Sequence, residues 1–310
     1  MILSNTINWD FALTLSALEQ YNQVADLDSD DPMQDEALDF VSRGDCTNSR
    51  LTHYALPLDP WEGGTRAIME HLFEGQQMEM FMEDAAAGRL RSGTTSIVGR
   101  VPVSFFIPAR TMPLPNPPPL PGGAQYIQLY DRVMECLGSR TNMANFVILN
   151  EEINSFKARL VAGVAPSNFN KHIVPGAKDY MYPQYVLHIM KTTISVIRYL
   201  NHKGTPNVNQ RLTSQVNCAG EQWMYGQQVW NQNHPADQVA ILEFYREWTR
   251  DFYKVYLVNQ AREYVKKCAA EMRRNWEAFE DSSYTRRVLE VVSAIEDELD
   301  ELTIDTSDFD

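Results

Sequence analysis

The sequence predicts a mainly α fold, a multi-helix bundle with a Pro-rich extended spacer and acidic, flexible ends. Three observations predict it. Apolar residues recur at steps of three and four through most of the chain after residue 125. The stretch after Pro235, as far as about Phe279, holds neither proline nor glycine. Acidic residues crowd the two ends and leave the body close to neutral.

The elements follow in order. Residues 9–24 predict a short helix through Trp9, Leu13, Leu18 and Tyr21, followed by the acidic linker "DLDSDDPMQDEALD". Residues 65–88 predict a helix with Ile68, Met69, Leu72, Phe73, Met80 and Phe81 on a broad apolar face and Gly88 as its stop. "TTSIVGRVPVSFFIP" alternates enough to be extended, but Gly99 and Pro102 make it a poor strand. Seven prolines between Pro108 and Pro121 remove amide donors and fix φ, which predicts a polyproline-type spacer and a domain boundary. Its P-x-x-P spacings also suit a proline-binding module, the less favoured use.

Helical patterns then dominate. They cover residues 125–137, 145–162 with Phe146, Leu149, Ile153, Phe156 and Leu160, and 183–201 with Val186, Ile189, Met190, Ile197 and Leu200. Gly220 and Gly226 blur the reading of 207–230, and one long helix or two joined ones fill 235–279. A last amphipathic helix runs from about Thr285 to Leu302. The expected organisation is an acidic N-terminal segment, partly disordered, over 1–64 and a small helical and extended segment over 65–107. A Pro-rich linker at 108–123, the helical bundle at 124–302 and an acidic tail at 303–310 complete it.

Composition limits function. With 44% hydrophobic and 11% aromatic residues, the 310-residue chain can build a substantial core. Nine of its acids lie in residues 1–42 and eight in 295–310, neither segment with a Lys or Arg, so the remaining 24 acids face all 27 bases. Such ends repel nucleic acid and anionic lipid, and no basic stripe with interleaved aromatics occurs. No run of roughly 18 apolar residues predicts a membrane span. The first twenty residues lack a basic n-region and carry Asp10, so no signal peptide is expected, which makes the chain cytoplasmic as written and extracellular if part of a longer secreted protein.

Candidate chemistry is sparse. Glu151 and Glu152 in "NEEIN" suggest paired catalytic carboxylates, yet neighbours on one helix do not face each other across a substrate and here fall on its solvated side. The six histidines show no H-E-x-x-H spacing, and "DLDSDD" misses the glycine and glutamate of a calcium loop, so no metal or cofactor is expected. Cys46, Cys136, Cys218 and Cys268 form no C-x-x-C pair. Two disulfides are open to them, but Cys136 and Cys268 sit in helical apolar patterns and read as reduced core residues. In "EQWMYGQQVWNQNHP", Trp223, Tyr225 and Trp230 among amides are candidates for a glycan- or partner-binding face. Trp223 and Trp230, seven apart, equally describe a core stripe, the favoured reading.

One stretch carries a resemblance. The Pro-rich lead-in, a short helix ending "ECLGS", a "TN" segment, the "NEEIN" helix with its following lysine, and the later "ISVIRYLNH" and "EFYREWTRDFYKVYLVNQAREYV" are similar to the helical region downstream of the catalytic domain in large fungal class V chitinases. Those killer-toxin-like enzymes belong to glycoside hydrolase family 18, and the likeness spans roughly residues 95–280. The family's catalytic D-x-x-D-x-D-x-E and its cysteine-rich chitin-binding module do not occur in this sequence. The resemblance therefore implies a non-catalytic module whose partner is a protein or a chitin-related glycan. The alternative from composition is a cytosolic interaction protein that recruits partners with its Pro-rich spacer and acidic tails.

Overall fold

A computed structural model describes residues 37–54, 67–109, 111–139 and 142–310. The expected helix over 9–24 lies outside them. The fold is mainly helical, with one small four-stranded sheet.

The sheet is the main departure from expectation. Strands β1 (Ala37–Phe40), β2 (Leu51–Tyr54), β3 (Ala67–His71) and β4 (Phe146–Asn150) lie in the order β2-β1-β4-β3. β1 and β4 run parallel with Leu38 opposite Leu149, and β3 pairs antiparallel to β4 from Ala67↔Asn150 to His71↔Phe146. β4 is buried along its whole length, and a short continuous apolar run of this kind reads as readily as helix as it does as an inner strand. The helices expected to begin at 65 and 145 therefore start later. They are α1 (Gly75–Ala87) and α4 (Glu151–Val161). Each face of the sheet packs separately: Ala37, Met69, Phe146 and Ile148 form a small cluster, while Leu38, Phe40, Val147 and Leu149 join the main core.

α1 ends at Gly88, whose φ of 70° is left-handed and where a Cβ would come within 3.2 Å of Arg100. The next segment, expected to be extended, contains α2 (Val103–Ala109). Phe105 and Phe106 are fully buried there, and the gain from docking two rings outweighs the weak local propensity.

The proline-rich stretch lies against the body and is not one extended spacer: Pro108 belongs to α2, Asn116 takes a φ of 50°, and Pro121–Gly123 form a 3-10 turn. Leu114 and Leu120 are buried, Tyr225 donates to the Pro115 carbonyl, and Arg132 donates to the carbonyls of Pro118 and, at 2.7 Å, Tyr126. One core spans both sides of it, from Phe73, Phe81 and Phe105 to Trp223, Trp248 and Trp276.

The bundle comprises α3 (Leu129–Leu137), α4, α5 (Gln184–Leu200), α6 (Val208–Asn233), α7 (Ile241–Asp251), α8 (Val258–Trp276) and α9 (Ser283–Asp297). α7 and α8 are joined through a π-helical segment, Phe252–Leu257, so the stretch without proline or glycine is two helices in continuous backbone. Gly226, which obscured α6 in the sequence, is where α3 comes close: a Cβ there would sit 2.5 Å from Leu129. α5 also secures the β1–β2 loop, with Lys191 donating to the Ser42 and Arg43 carbonyls and Ser195 to that of Ser49.

Two further expectations are corrected. Cys136, read as a reduced core thiol, forms a disulfide with Cys218 that joins α3 to α6 at a Cα separation of 5.5 Å, while Cys46 and Cys268 are free. Spacing alone could not reveal this, because 82 residues separate the partners. The C-terminal tail is docked rather than loose. Ile304 and Phe309 are buried, the Phe309 ring meets Tyr253 edge-on at 5.6 Å, Arg250 donates to the Phe309 carbonyl, and Asn217 bonds the backbone of Asp308 and Asp310. Its charge pattern predicted solvation, but two apolar anchors among the acids decide its position.

Closing an 82-residue loop contributes about 3–5 kcal/mol in the chain-entropy account. Thiol titration in denaturant without reductant is expected to find the two thiols of Cys46 and Cys268, rising to four after reduction, with Cys268 protected in native protein. Four reactive thiols before reduction would contradict the cross-link.

Candidate functional site

The residues singled out in the sequence fall into three places. Trp223 and Trp230 are 1% and 5% exposed on the face of α6 that meets α1 and α2. Trp223 packs against Phe81 at 5.5 Å and edge-on to Tyr130 at 5.8 Å. Trp230 meets Phe105 edge-on at 5.4 Å, stacks on His234 and donates to the Asp237 carbonyl. Tyr225 spends its hydroxyl on Pro115. Neither indole offers a face to a sugar, because the seven-residue spacing that aligned them serves the core.

Glu151 and Glu152 occupy the first turn of α4, where the helix dipole favours carboxylates. Asn150 caps that turn, accepting from the Glu152 and Ile153 amides, and its own amide donates to Asp39 at 2.7 Å. Glu151 points to water, whereas both oxygens of Glu152 lie 2.9 Å from Nε2 of His188 on α5. This is a part-exposed carboxylate–imidazole pair, of the kind worth about 1 kcal/mol or less. The two carboxylates do not face each other across a cleft.

Two polar features escaped the sequence reading. Lys157 of α4 is fully buried against Glu70 of β3, with Glu74 Oε1 at 2.9 Å and the His71 carbonyl at 2.5 Å. Burial pushes the Lys157 ammonium well below its ordinary pKa, lowers His71 to about 4 and raises Glu74 to about 7. Shifts of this kind often mark active sites, but the ammonium at the centre has no exposed surface, Glu70 is buried, and only 17% of the Glu74 side chain is open to solvent. A cavity of about 330 Å³ lies beside Asn201 at the end of α5. Two of its basic side chains are already paired, Arg198 with Glu298 and Lys203 with Asp305, so it offers no strong field for an ion. Among the described residues no group of three His, Cys, Asp or Glu side chains is placed to hold a metal ion, and no helix is long and apolar enough to cross a membrane.

The arrangement best suited to binding lies at the chain's "KDYMYPQYV" turn into α5. Tyr180, Met181, Tyr182 and Tyr185 are all exposed there, Tyr182 by 61%, and Tyr284 at the start of α9 lies alongside. Tyr180 stacks on the buried Trp276 ring at 5.3 Å and 14° and meets Phe279 and Tyr284 edge-on at 5.2 Å. Trp276 is thus a rigid floor for a half-covered ring. The Asp179 carboxylate accepts from the Met181 amide at 2.9 Å and fixes the turn, while Tyr185 lies edge-on to His172 at 6.4 Å. The rim carries the Tyr180 hydroxyl within 3.5 Å of Ser282. Three tyrosines within six residues signalled this face in the sequence, but without a helical period they stood out less than the tryptophans on α6.

No protein-family model, curated protein or solved structure matches the chain.

The contrast between core and face is testable by substitution. Trp223→Ala is expected to cost about 3–5 kcal/mol in urea unfolding, whereas Tyr182→Ala should stay within about 0.5 kcal/mol of the parent. Similar losses from both would remove the distinction.

Proposed function

We propose that this chain is a non-catalytic helical module, similar to the C-terminal region of fungal class V chitinases, that binds a chitin-related glycan through the tyrosine face at residues 180–185 and Tyr284. The observation that carries the reading is this face itself. Aromatic rings half open to solvent on a rigid floor cover the apolar face of a pyranose, and hydroxyl groups at the rim bond its hydroxyls. The sequence likeness around "ECLGS" and "NEEIN" supplies the class of glycan. The residues first suspected lie outside this face: Trp223 and Trp230 pack in the core and Tyr225 holds the Pro115 carbonyl.

The alternative, a cytosolic interaction protein, has less support. Its Pro-rich recruiting segment already spends the Pro115 and Pro118 carbonyls and two leucines on the body, and its C-terminal acidic tail is anchored by Phe309. The Cys136–Cys218 bridge also favours an oxidising compartment, where disulfides persist.

Titration of labelled protein with a soluble N-acetylglucosamine tetramer, followed by NMR, is expected to shift residues 178–185 and 282–284 with weak affinity. Tyr182→Ala should weaken binding about tenfold, or about 1.4 kcal/mol, with no loss of stability. Absence of any shift at millimolar ligand, or shifts confined to another surface, would overturn the glycan reading. Shorter oligosaccharides appearing during the titration would overturn the non-catalytic one.

A further inference from the structure

We propose that the buried cluster of Lys157, Glu70 and Glu74 is a one-proton latch: the fold closes on it with Glu74 protonated, and loss of that proton loosens the junction between β3 and α1. The inference is independent of the glycan reading.

The argument begins with a charge count. Three elements bring the groups together: β3 supplies Glu70, the start of α1 supplies Glu74, and α4 supplies Lys157. One ammonium faces two carboxyl groups, with Lys157 and Glu70 almost wholly buried and Glu74 keeping 17% of its side chain exposed, so full ionisation leaves a net negative charge at the edge of the interior. A buried charge without a partner is far more costly than a neutral pair, so the site favours holding one extra proton. Geometry selects the group that holds it. Glu70 makes the closer contact and accepts a hydrogen bond from the ammonium, whereas Glu74 Oε1 is ion-paired with it at 2.9 Å without hydrogen-bond geometry. The Glu74 side chain accepts its hydrogen bonds from neutral donors, the Gln76 side-chain amide and the Gln77 backbone N–H of the capping box.

Among the described residues, most titratable groups around Glu74 are neutral. The His71 ring on β3 is kept neutral above about pH 4 by burial. The phenols of Tyr199 on α5 and Tyr253 in the 252–257 segment are buried and neutral, and a charged Glu74 acts on both unfavourably. The Tyr199 hydroxyl makes no hydrogen bond, and Tyr253 accepts from Gln77 at 2.9 Å. Arg211 on α6 is a cation that acts on Tyr199, and it donates to the Phe146 carbonyl at 2.7 Å. Burial accordingly raises Glu74 to about 7.

The sign of the effect follows. The folded-state pKa lies above the unfolded value, so the folded chain binds more protons than the unfolded chain between the two. The stabilisation is complete below about pH 4.5 and is lost as pH rises through about 7. The neighbouring hydrogen bonds place the response. Glu74 N donates to Gln77 Oε1 and Phe73 N to Gln215 Oε1, so charge on Glu74 strains the turn that carries β3 into α1.

The test compares the folding equilibrium of the full chain and of Glu74→Gln at pH 5 and pH 7.5 by urea unfolding. The variant keeps the shape of a protonated Glu74 but cannot ionise. The ratio of wild-type to variant folding constants is expected to fall by about tenfold or more between the two pH values. A ratio independent of pH overturns the latch. Should the variant fail to fold, hydrogen exchange of the wild type over the same range decides the matter. After correction for intrinsic rates, protection at residues 73–77 is expected to drop above pH 7 relative to α8. Uniform protection would overturn the proposal.

Discussion

The ammonium of Lys157 is the constraint on which the sheet and the bundle meet. A lysine with no exposed surface needs partners for its charge, and residues 70–74 supply them: the Glu70 carboxylate and the His71 carbonyl accept hydrogen bonds, and a Glu74 carboxyl oxygen lies 2.9 Å away. This requirement accounts for the course of the backbone there. Glu70 reaches Lys157 from a strand whose neighbouring residue, Met69, packs on the opposite face of the sheet. A helix running unbroken from 65 to 88 would place Glu70 and Glu74 one turn apart on one face, leaving β4 without its antiparallel neighbour. Charge compensation and strand pairing thus favour the same geometry, and α1 begins only after both are satisfied.

Much of the bundle was legible because burial along a helix leaves a period. α5, α8 and α9 follow their apolar steps closely, and the π-helical join between α7 and α8 sits within the stretch that lacks proline and glycine. The strands were not legible, since four- and five-residue apolar runs carry no period that separates them from helix. The disulfide was hidden by its 82-residue separation. The docked tail was hidden because two apolar residues, Ile304 and Phe309, govern its position among three acids in eight residues. "NEEIN" was legible in part: the reading of two neighbouring carboxylates as solvated holds for Glu151, but Glu152 reaches His188 on another helix, a contact no local pattern contains.

The aromatic residues carry the same lesson into function. Tryptophans spaced seven apart attracted notice as a binding face, and the regularity of that spacing is what buries them. Tyr180 and Tyr182 lie in the turn before α5 and Tyr185 in its first helical turn, and Tyr180 rests on Trp276 as an outer layer on the core. A rigid interior supporting half-exposed rings is an economical way to build a recognition surface, because the rings lose little freedom on binding.

The central claim, that one proton resides in the Lys157 cluster near neutral pH, is tested most directly by following the side-chain carboxyl carbon of Glu74 by NMR as pH is varied. The account predicts a midpoint near 7, well above the usual carboxylate range. A midpoint near 4.5 would show that Lys157 holds both carboxylates ionised, and would contradict it.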